Sequence, residues 1–125
     1  MKIKRTVIVF DAADLNAESA FWAALLGGTV DADDDWHSVI VDGEWRMGFQ
    51  LAPNHVSPPW PDGVQQQQIH LDLWVDDLQA AHQRASSLGA KLLQEAADPE
   101  ANEKFQVYSD PAGHPFCFCW AAAAS

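Results

Sequence analysis

The sequence is poor in cysteine and in basic residues, and it contains no long hydrophobic run. Its only cysteines are Cys117 and Cys119. Two cysteines one residue apart on a strand point to the same face and lack the geometry of a bridge, so we expect no disulfide framework. No apolar stretch approaches the roughly 20 residues that cross a bilayer, and the basic N-terminal residues lead into an alternating strand instead of a signal-type apolar core. These absences favour a cytoplasmic protein.

Acidic residues outnumber basic ones, 18 to 7, which gives a formal net charge of -11. A charge of this sign repels phosphate backbones and anionic lipid, so we expect neither a nucleic-acid partner nor a membrane partner. A cationic small molecule is a better match. Solubility alone is the other explanation for the acidic excess.

The same pattern occurs twice along the chain. Asp14-Leu15 opens a helical stretch that closes at Leu26-Gly27, and Asp77-Leu78 opens another that closes at Leu88-Gly89. A strand precedes each helix and short strands follow it, so the repeat predicts the architecture. We predict an α+β fold of two tandem βαβββ modules that form a curved mixed β-sheet around a concave cavity, with the helices outside.

Apolar periodicity and turn residues place the elements within one domain. The predicted helices cover residues 14–26 and 77–88, and the predicted strands cover 2–10, 29–32, 36–41, 45–52, 68–75, 90–94, 105–109 and 115–120. Prolines around Trp60 indicate an extended connection. We therefore predict module 1 over residues 1–52, a linker over 53–64, module 2 over 65–120 and a frayed tail over 121–125.

Strand alternation selects the side chains that face the predicted cavity. If the aliphatic side of strand 68–75 packs on a helix, its other side turns His70, Asp72 and Trp74 toward the cavity. The same reasoning gives this full set of interior residues: Val7, Val9, Gln50, His70, Asp72, Trp74, Cys117 and Cys119. An apolar wall with few directional groups is typical of small-molecule sites.

These motifs resemble the vicinal oxygen chelate superfamily, in its glyoxalase-like and bleomycin-resistance branch. The resemblance rests on Asp14-Leu15, Phe21-Trp22 and Leu25-Leu26-Gly27 in the first module, on Gln68-Ile69-His70-Leu71-Asp72, Asp77-Leu78 and Leu88-Gly89-Ala90 in the second, and on Asp110-Pro111-Ala112-Gly113-His114-Pro115-Phe116 at the end. It implies paired βαβββ modules and a homodimer. The superfamily contains metal-dependent lyases, isomerases, epimerases and ring-cleaving dioxygenases, as well as metal-free proteins that sequester drugs, so the fold alone does not select a function.

The resemblance also implies four metal-ligand positions, which in this chain are Val7, Gln50, His70 and Cys117. Val7 has no donor atom, and the carboxylates that relatives carry at two of these positions are missing. A catalytic divalent ion usually needs three good protein donors and an open position, so we expect no cofactor and no metal ligands. Zinc bound through Cys117, His70 and Asp72 is the alternative, although it departs from the family geometry.

The leading hypothesis is a metal-independent protein that holds a small aromatic or cationic organic molecule. The predicted ligand-binding residues are Gln50, Trp60, His70, Asp72, Trp74 and Cys117. No catalytic residue is assigned, and His70 is the candidate. One alternative is a metal-dependent lyase, isomerase or dioxygenase with an atypical site, and another is metal-free acid–base catalysis by His70 and Asp72.

Overall fold

The structure is a computed structural model that describes residues 1–60, 69–96 and 103–121. Four parts of the sequence-based prediction lie outside these residues: linker residues 61–64, the start of module 2 at 65–67, the first residue of the strand predicted from residue 68, and tail residues 122–125. The chain divides into two compact units, residues 1–56 and 57–125. The module and linker boundaries remain a prediction.

The two units have the same element order and the same sheet topology. The first contains β1 (Ile8–Ala12), α1 (Leu15–Leu26), β2 (Thr29–Ala32), β3 (Trp36–Val41) and β4 (Glu44–Leu51), with sheet order β1-β4-β3-β2. The second contains β5 (Leu71–Trp74), α2 (Leu78–Ser87), β6 (Lys91–Gln94), β7 (Glu103–Ser109) and β8 (Pro115–Ala121), with order β5-β8-β7-β6. In each sheet the first and last strands of the unit pair in parallel and the other pairs are antiparallel. The predicted α+β class with two βαβββ modules is confirmed.

Both helices begin directly after the aspartate that the repeat indicated. α1 ends at Leu26 as predicted, and α2 ends at Ser87, one residue before the predicted end. The carboxylate of Asp14 accepts a hydrogen bond from the backbone N–H of Ala17 at 3.0 Å, and Asp77 does the same for Ala80 at 3.1 Å. These bonds satisfy N–H groups that have no partner within the helix. Gly27 follows α1 with φ +74°, a left-handed conformation that glycine adopts without steric cost. No helix within the described ranges is both long and apolar enough to span a membrane.

Several predicted elements differ from the structure by one or two residues, and two strands differ by more. The first strand begins at Ile8 and continues to Ala12, whereas residues 2–10 were predicted. Its register with β4 begins at the pair Ile8 and Met47, and residues 2–6 are exposed with no strand partner in the described chain. Strand propensity without a neighbouring strand leaves the backbone unpaired, so residues 2–6 are not a strand. β5 is likewise shorter than predicted and covers only the part that pairs with β8.

His37 belongs to no motif in the sequence, which makes the surface its default location, but the structure places it in the core. It is buried beneath α1, where its Nδ1 and the hydroxyl of Ser19 form a hydrogen bond of 2.8 Å. The strand alternation in β3 turns His37 and Val39 to the same side, and Val39 is fully buried. A histidine on the apolar face of a strand becomes acceptable in the core once its ring nitrogen has a partner.

In the second unit, the sheet face that packs on α2 is aromatic. Tyr108, Phe116 and Phe118 are buried there, and the Tyr108 ring stacks on Phe116 with centroids 5.7 Å apart. The Tyr108 hydroxyl is 2.7 Å from Nδ1 of His82 on α2, and it accepts a hydrogen bond of 2.9 Å from the Gln106 amide. This polar link attaches the helix to one face of the sheet and leaves the opposite face open.

Replacing Tyr108 by phenylalanine should lower the free energy of unfolding by about 1–2 kcal/mol, because His82 and Gln106 lose their partner in a buried position. Urea denaturation followed by circular dichroism measures the change. Ser87→Ala is the control: it removes an exposed side-chain hydrogen bond to the Arg84 carbonyl and should alter stability by less than about 0.5 kcal/mol. Equal effects of the two variants would contradict the structural role of Tyr108.

Candidate functional site

The open face of the second sheet carries two rows of side chains that cross the strands. Strand register places Asp72 opposite Cys117, Cys117 opposite Val107, and Val107 opposite Gln94. Residues paired in this way share a face. This row therefore has a carboxylate at one end, an amide at the other and an apolar centre.

The second row is largely aromatic. Trp74 pairs with Cys119, and Cys119 pairs with Phe105. Trp74 is 65% exposed and Phe105 is 51% exposed. Large apolar side chains exposed next to one another typically mark a binding surface.

Trp60 reaches the same face from outside the sheet. It packs against a buried cluster formed by Val107, Cys117 and Cys119, and its ring meets the His70 ring edge-on with centroids 6.5 Å apart. Together with the two rows it lines a concavity of about 680 Å³, which Lys104 also borders. This volume is within the usual range for small-molecule sites.

The structure brings together five of the six residues predicted to bind a ligand: Trp60, His70, Asp72, Trp74 and Cys117. The sixth, Gln50, belongs to the first unit, where it is exposed near the end of β4. Their roles remain predictions. The sequence reasoning did not select Gln94, Lys104, Phe105 or Val107. Alternation along β7 with Cys117 and Cys119 as its neighbours would have identified Phe105 and Val107.

The resemblance treats Gln50 and Cys117 as matching metal-ligand positions in the two modules. The strand register shows that these two residues do not match. Ile8 and Leu71 each lie six residues before the capping aspartate of the following helix, and their partners are Met47 and Phe116. Counting from these pairs, Cys117 corresponds to Gly48 and Gln50 corresponds to Cys119. The first unit therefore has no side-chain donor at the position that matches Cys117.

His70 and Asp72 form a partly exposed pair at the rim of the concavity. The distance from His70 Nε2 to Asp72 Oδ1 is 3.1 Å, and the two side chains are 43% and 50% exposed. A pair with this exposure contributes little to stability, because solvent screens it. Both groups remain accessible to a bound molecule.

The two thiols form the floor of the concavity. Burial, reinforced by the negative charge of Asp72, raises the pKa of Cys117 from 9.0 to about 12. Burial and Asp72 also raise the pKa of Cys119. A thiol with a raised pKa is a poor nucleophile near neutrality, since the thiolate is the reactive form.

His70, Asp72 and Cys117 are also close enough to be considered as metal ligands. One donor atom from each lies within 4.8 Å of the other two. In tetrahedral zinc sites, bonds of about 2.0–2.3 Å hold the donors roughly 3.3–3.8 Å apart, so small side-chain rotations would close this set. An imidazole, a carboxylate and a thiol suit zinc better than the hard ions, which prefer oxygen.

Residues 7–119 match the family of glyoxalase-like domains. The chain belongs to this family, as the resemblance to the vicinal oxygen chelate superfamily implied. It is 28% identical to the uncharacterized protein YaeR of Escherichia coli K12 over 118 residues, which cover 86% of this chain and 88% of YaeR.

Two solved structures show the same fold. The fosfomycin resistance protein FosX of Listeria monocytogenes superposes with a TM-score of 0.69 at 14% identity, covering 98% of this chain and 97% of FosX. A glyoxalase/bleomycin resistance protein/dioxygenase family enzyme of Burkholderia phytofirmans superposes with a TM-score of 0.68 at 16% identity, covering 93% and 97%. At these identities the similarity concerns the fold.

Alkylation of the two thiols should be slow in the native protein. At about pH 8 a rise in the pKa from 9.0 to about 12 reduces the thiolate fraction of Cys117 roughly a thousandfold. Iodoacetamide labelling followed by mass spectrometry should therefore be much slower than in urea, with a rate that still rises above pH 10. If the labelling rate of the folded protein instead levels off near pH 9, the pKa of Cys117 is not raised.

The raised pKa of Cys117 also predicts that the protein becomes less stable at alkaline pH. Above about pH 9 the unfolded chain loses the Cys117 proton while the native protein keeps it, so the free energy of unfolding falls as the pH rises toward 12. Cys117→Ala should reduce this alkaline slope.

Proposed function

We propose that the protein binds a small aromatic molecule in the concavity of the second unit, without an obligatory metal. The observation that carries the proposal is the coincidence of three exposed or half-buried aromatic rings, Trp60, Trp74 and Phe105, with polar groups at both ends of one cross-strand row. Flat apolar walls with a few directional groups favour a planar organic ligand.

The aromatic rings supply most of the expected binding energy. An aromatic ligand placed against Trp74 and Phe105 removes apolar surface from water, which is worth about 25 cal/mol per Å². Well-oriented ring pairs add about 0.5–1.5 kcal/mol. Since the side chains of Trp74 and Phe105 are more than half exposed without a ligand, much of their surface is available for burial.

The polar groups restrict which aromatic molecules fit. The carboxylate of Asp72 accepts hydrogen bonds, and His70 already occupies one of its oxygens. A cationic or hydroxyl group on the ligand suits the remaining acceptor capacity, and the net charge of -11 attracts cations at a distance. At the other end of the row, the Gln94 amide both donates and accepts. Binding without chemical change would make the function sequestration.

The remaining parts of the proposal are a homodimer and a cytoplasmic location. The homodimer is what the superfamily resemblance implies. The location follows from the scarcity of cysteine and the lack of long apolar segments in the sequence.

The proposal predicts that Trp74→Ala weakens binding of small aromatic compounds roughly tenfold, which corresponds to about 1.4 kcal/mol of lost contact. A thermal-shift screen of aromatic amines and aromatic carbonyl compounds on EDTA-treated protein identifies binders, because ligands of the native state raise Tm. Titration calorimetry then compares the variants.

Leu92→Ala is the matched control, because Leu92 is a partly exposed apolar residue of the same unit that does not border the concavity. The Leu92→Ala variant should bind the same aromatic compounds with the affinity of the unmodified protein. If no compound raises Tm, or if Trp74→Ala binds as tightly as the control, the concavity is not a binding site for aromatic molecules.

The proximity of His70, Asp72 and Cys117 supports a second candidate, a metal-dependent lyase, isomerase or dioxygenase with an atypical site. Zinc held there would act as a Lewis acid on an oxygen of the organic ligand. To bind zinc, the Cys117 thiol would have to lose its proton. His70 and Asp72 would have to give up their contact with each other and coordinate the ion instead. Metal affinity should therefore rise with pH below the raised pKa of the thiol.

Cobalt titration distinguishes the two candidates. Cobalt bound through Cys117 should give a thiolate charge-transfer band that Cys117→Ser abolishes, and zinc should displace it. Cys119→Ser is the control, because Cys119 is an equally buried thiol on the same strand face that does not belong to the three-donor cluster. Absence of the band in the unmodified protein at millimolar cobalt would exclude the metal-dependent candidate.

A further inference from the structure

We propose that the indole N–H of Trp60 is a hydrogen-bond donor to the bound molecule, so that the ligand is a planar compound with an acceptor such as a ring nitrogen or a carbonyl oxygen. The inference rests on the proposed function and specifies its ligand class. Trp60 then has a directional role in addition to its packing role.

The Trp60 N–H is unusual because it is buried and has no partner within the described parts of the chain. Two other tryptophans show the ordinary arrangement. Trp36 donates to the Ser38 hydroxyl at 2.9 Å, and Trp45 donates to the Met47 carbonyl at 2.9 Å. Buried polar groups are nearly always hydrogen-bonded, so the orphaned donor of a residue that lines the concavity calls for a partner.

The groups around the ring do not supply that partner. Trp60 packs on Val107, Cys117 and Cys119, whose side chains offer at most weakly accepting sulfur. The neighbouring His70 ring contacts it edge-on. The Asp72 carboxylate, which is the strong acceptor nearby, contacts His70 and forms no hydrogen bond with the Trp60 N–H.

The position of Trp60 in the chain allows it to adapt to a ligand. It follows residues 55–59, which form neither helix nor strand, and the segment is fastened to the sheet by a hydrogen bond from the Ser57 hydroxyl to the Ala112 carbonyl at 3.1 Å. A side chain on irregular backbone can change rotamer without breaking a strand ladder. A modest turn of the indole would direct its N–H at an acceptor on a molecule between Trp60 and Trp74.

A pair of probes of nearly equal shape isolates this hydrogen bond. Quinoline has a ring-nitrogen acceptor and naphthalene has none, and both are uncharged at neutral pH. In proton–nitrogen correlation spectra of protein labelled with ¹⁵N-tryptophan, Trp60→Phe identifies the Trp60 signal among the six indole resonances. Both probes shift that proton by their ring currents, which are similar, and quinoline should move it further downfield than naphthalene at equal occupancy because only quinoline accepts the hydrogen bond.

Affinities provide the second measurement. Quinoline should bind about five- to tenfold more tightly than naphthalene. Trp60→Phe keeps an aromatic ring but lacks the N–H donor, so it should abolish this preference even if the smaller ring weakens the binding of both probes. Trp45→Phe is the control, because the Trp45 N–H already has a partner in the first unit. It should leave the preference unchanged.

The outcomes separate this inference from the function on which it rests. If both probes bind but the preference survives in Trp60→Phe, or if quinoline moves the Trp60 resonance of the unmodified protein no further downfield than naphthalene does, the donor role is wrong and the aromatic site remains. If neither quinoline at millimolar concentration nor naphthalene at its aqueous solubility limit binds, both the donor role and the aromatic site are contradicted. Sequential assignment of uniformly ¹³C,¹⁵N-labelled protein identifies the Trp60 resonance without a variant, so a poorly folded Trp60→Phe protein would not block this measurement.

Discussion

The site depends on the register in which β5 pairs with β8. That register sets Asp72 beside Cys117 and Trp74 beside Cys119, and it turns all four side chains away from α2. A slip of one residue would exchange them for Leu71, Leu73 and the aromatic residues of the core, because strand side chains alternate. On the helix side Tyr108 of β7 stacks on Phe116 of β8, which opposes a slip of β8 against β7 and keeps Cys117 and Cys119 on the open face. The buried aromatic layer therefore positions the chemistry on the opposite face of the same strands.

Charge and burial then give the neighbouring groups of this face different properties. Asp72 at the rim stays half exposed and keeps a histidine partner. Cys117, one strand away, is covered by Trp60, and the loss of water together with the Asp72 charge raises its pKa to about 12. Without a bound cation, Cys117 therefore stays a neutral thiol. A neutral aromatic ligand needs no proton release at this face, whereas a metal held by Cys117 would require the thiol to lose its proton.

Much of the fold could be predicted because its signals are local. Asp14 and Asp77 cap helices within their own first turn, and Asp42-Gly43 forms its hairpin with both residues at positive φ. The open face of β5 followed from alternation alone. Gln94 could not be found in this way, since an irregularity in β6 between Leu92 and Gln94 shifts the alternation. The burial of His37 depends on Ser19, which is 18 residues away in sequence, and no local pattern indicates that contact.

The internal repeat explains why the chemistry is concentrated in one unit. The row of the first sheet that corresponds to the candidate site contains Val9, Gly48, Ser38 and Asp31. It has a carboxylate at its far end but no thiol or imidazole. The ring of Trp36 lies so close over Gly48 that a Cβ atom there would collide with it. Its N–H is satisfied by Ser38. In the second unit Trp60 covers the equivalent Cys117, yet it arrives from outside the sheet and its N–H has no partner among the described residues. The N–H of Trp36 thus has its acceptor within its own strand, whereas the N–H of Trp60 still lacks the acceptor that a bound molecule would provide.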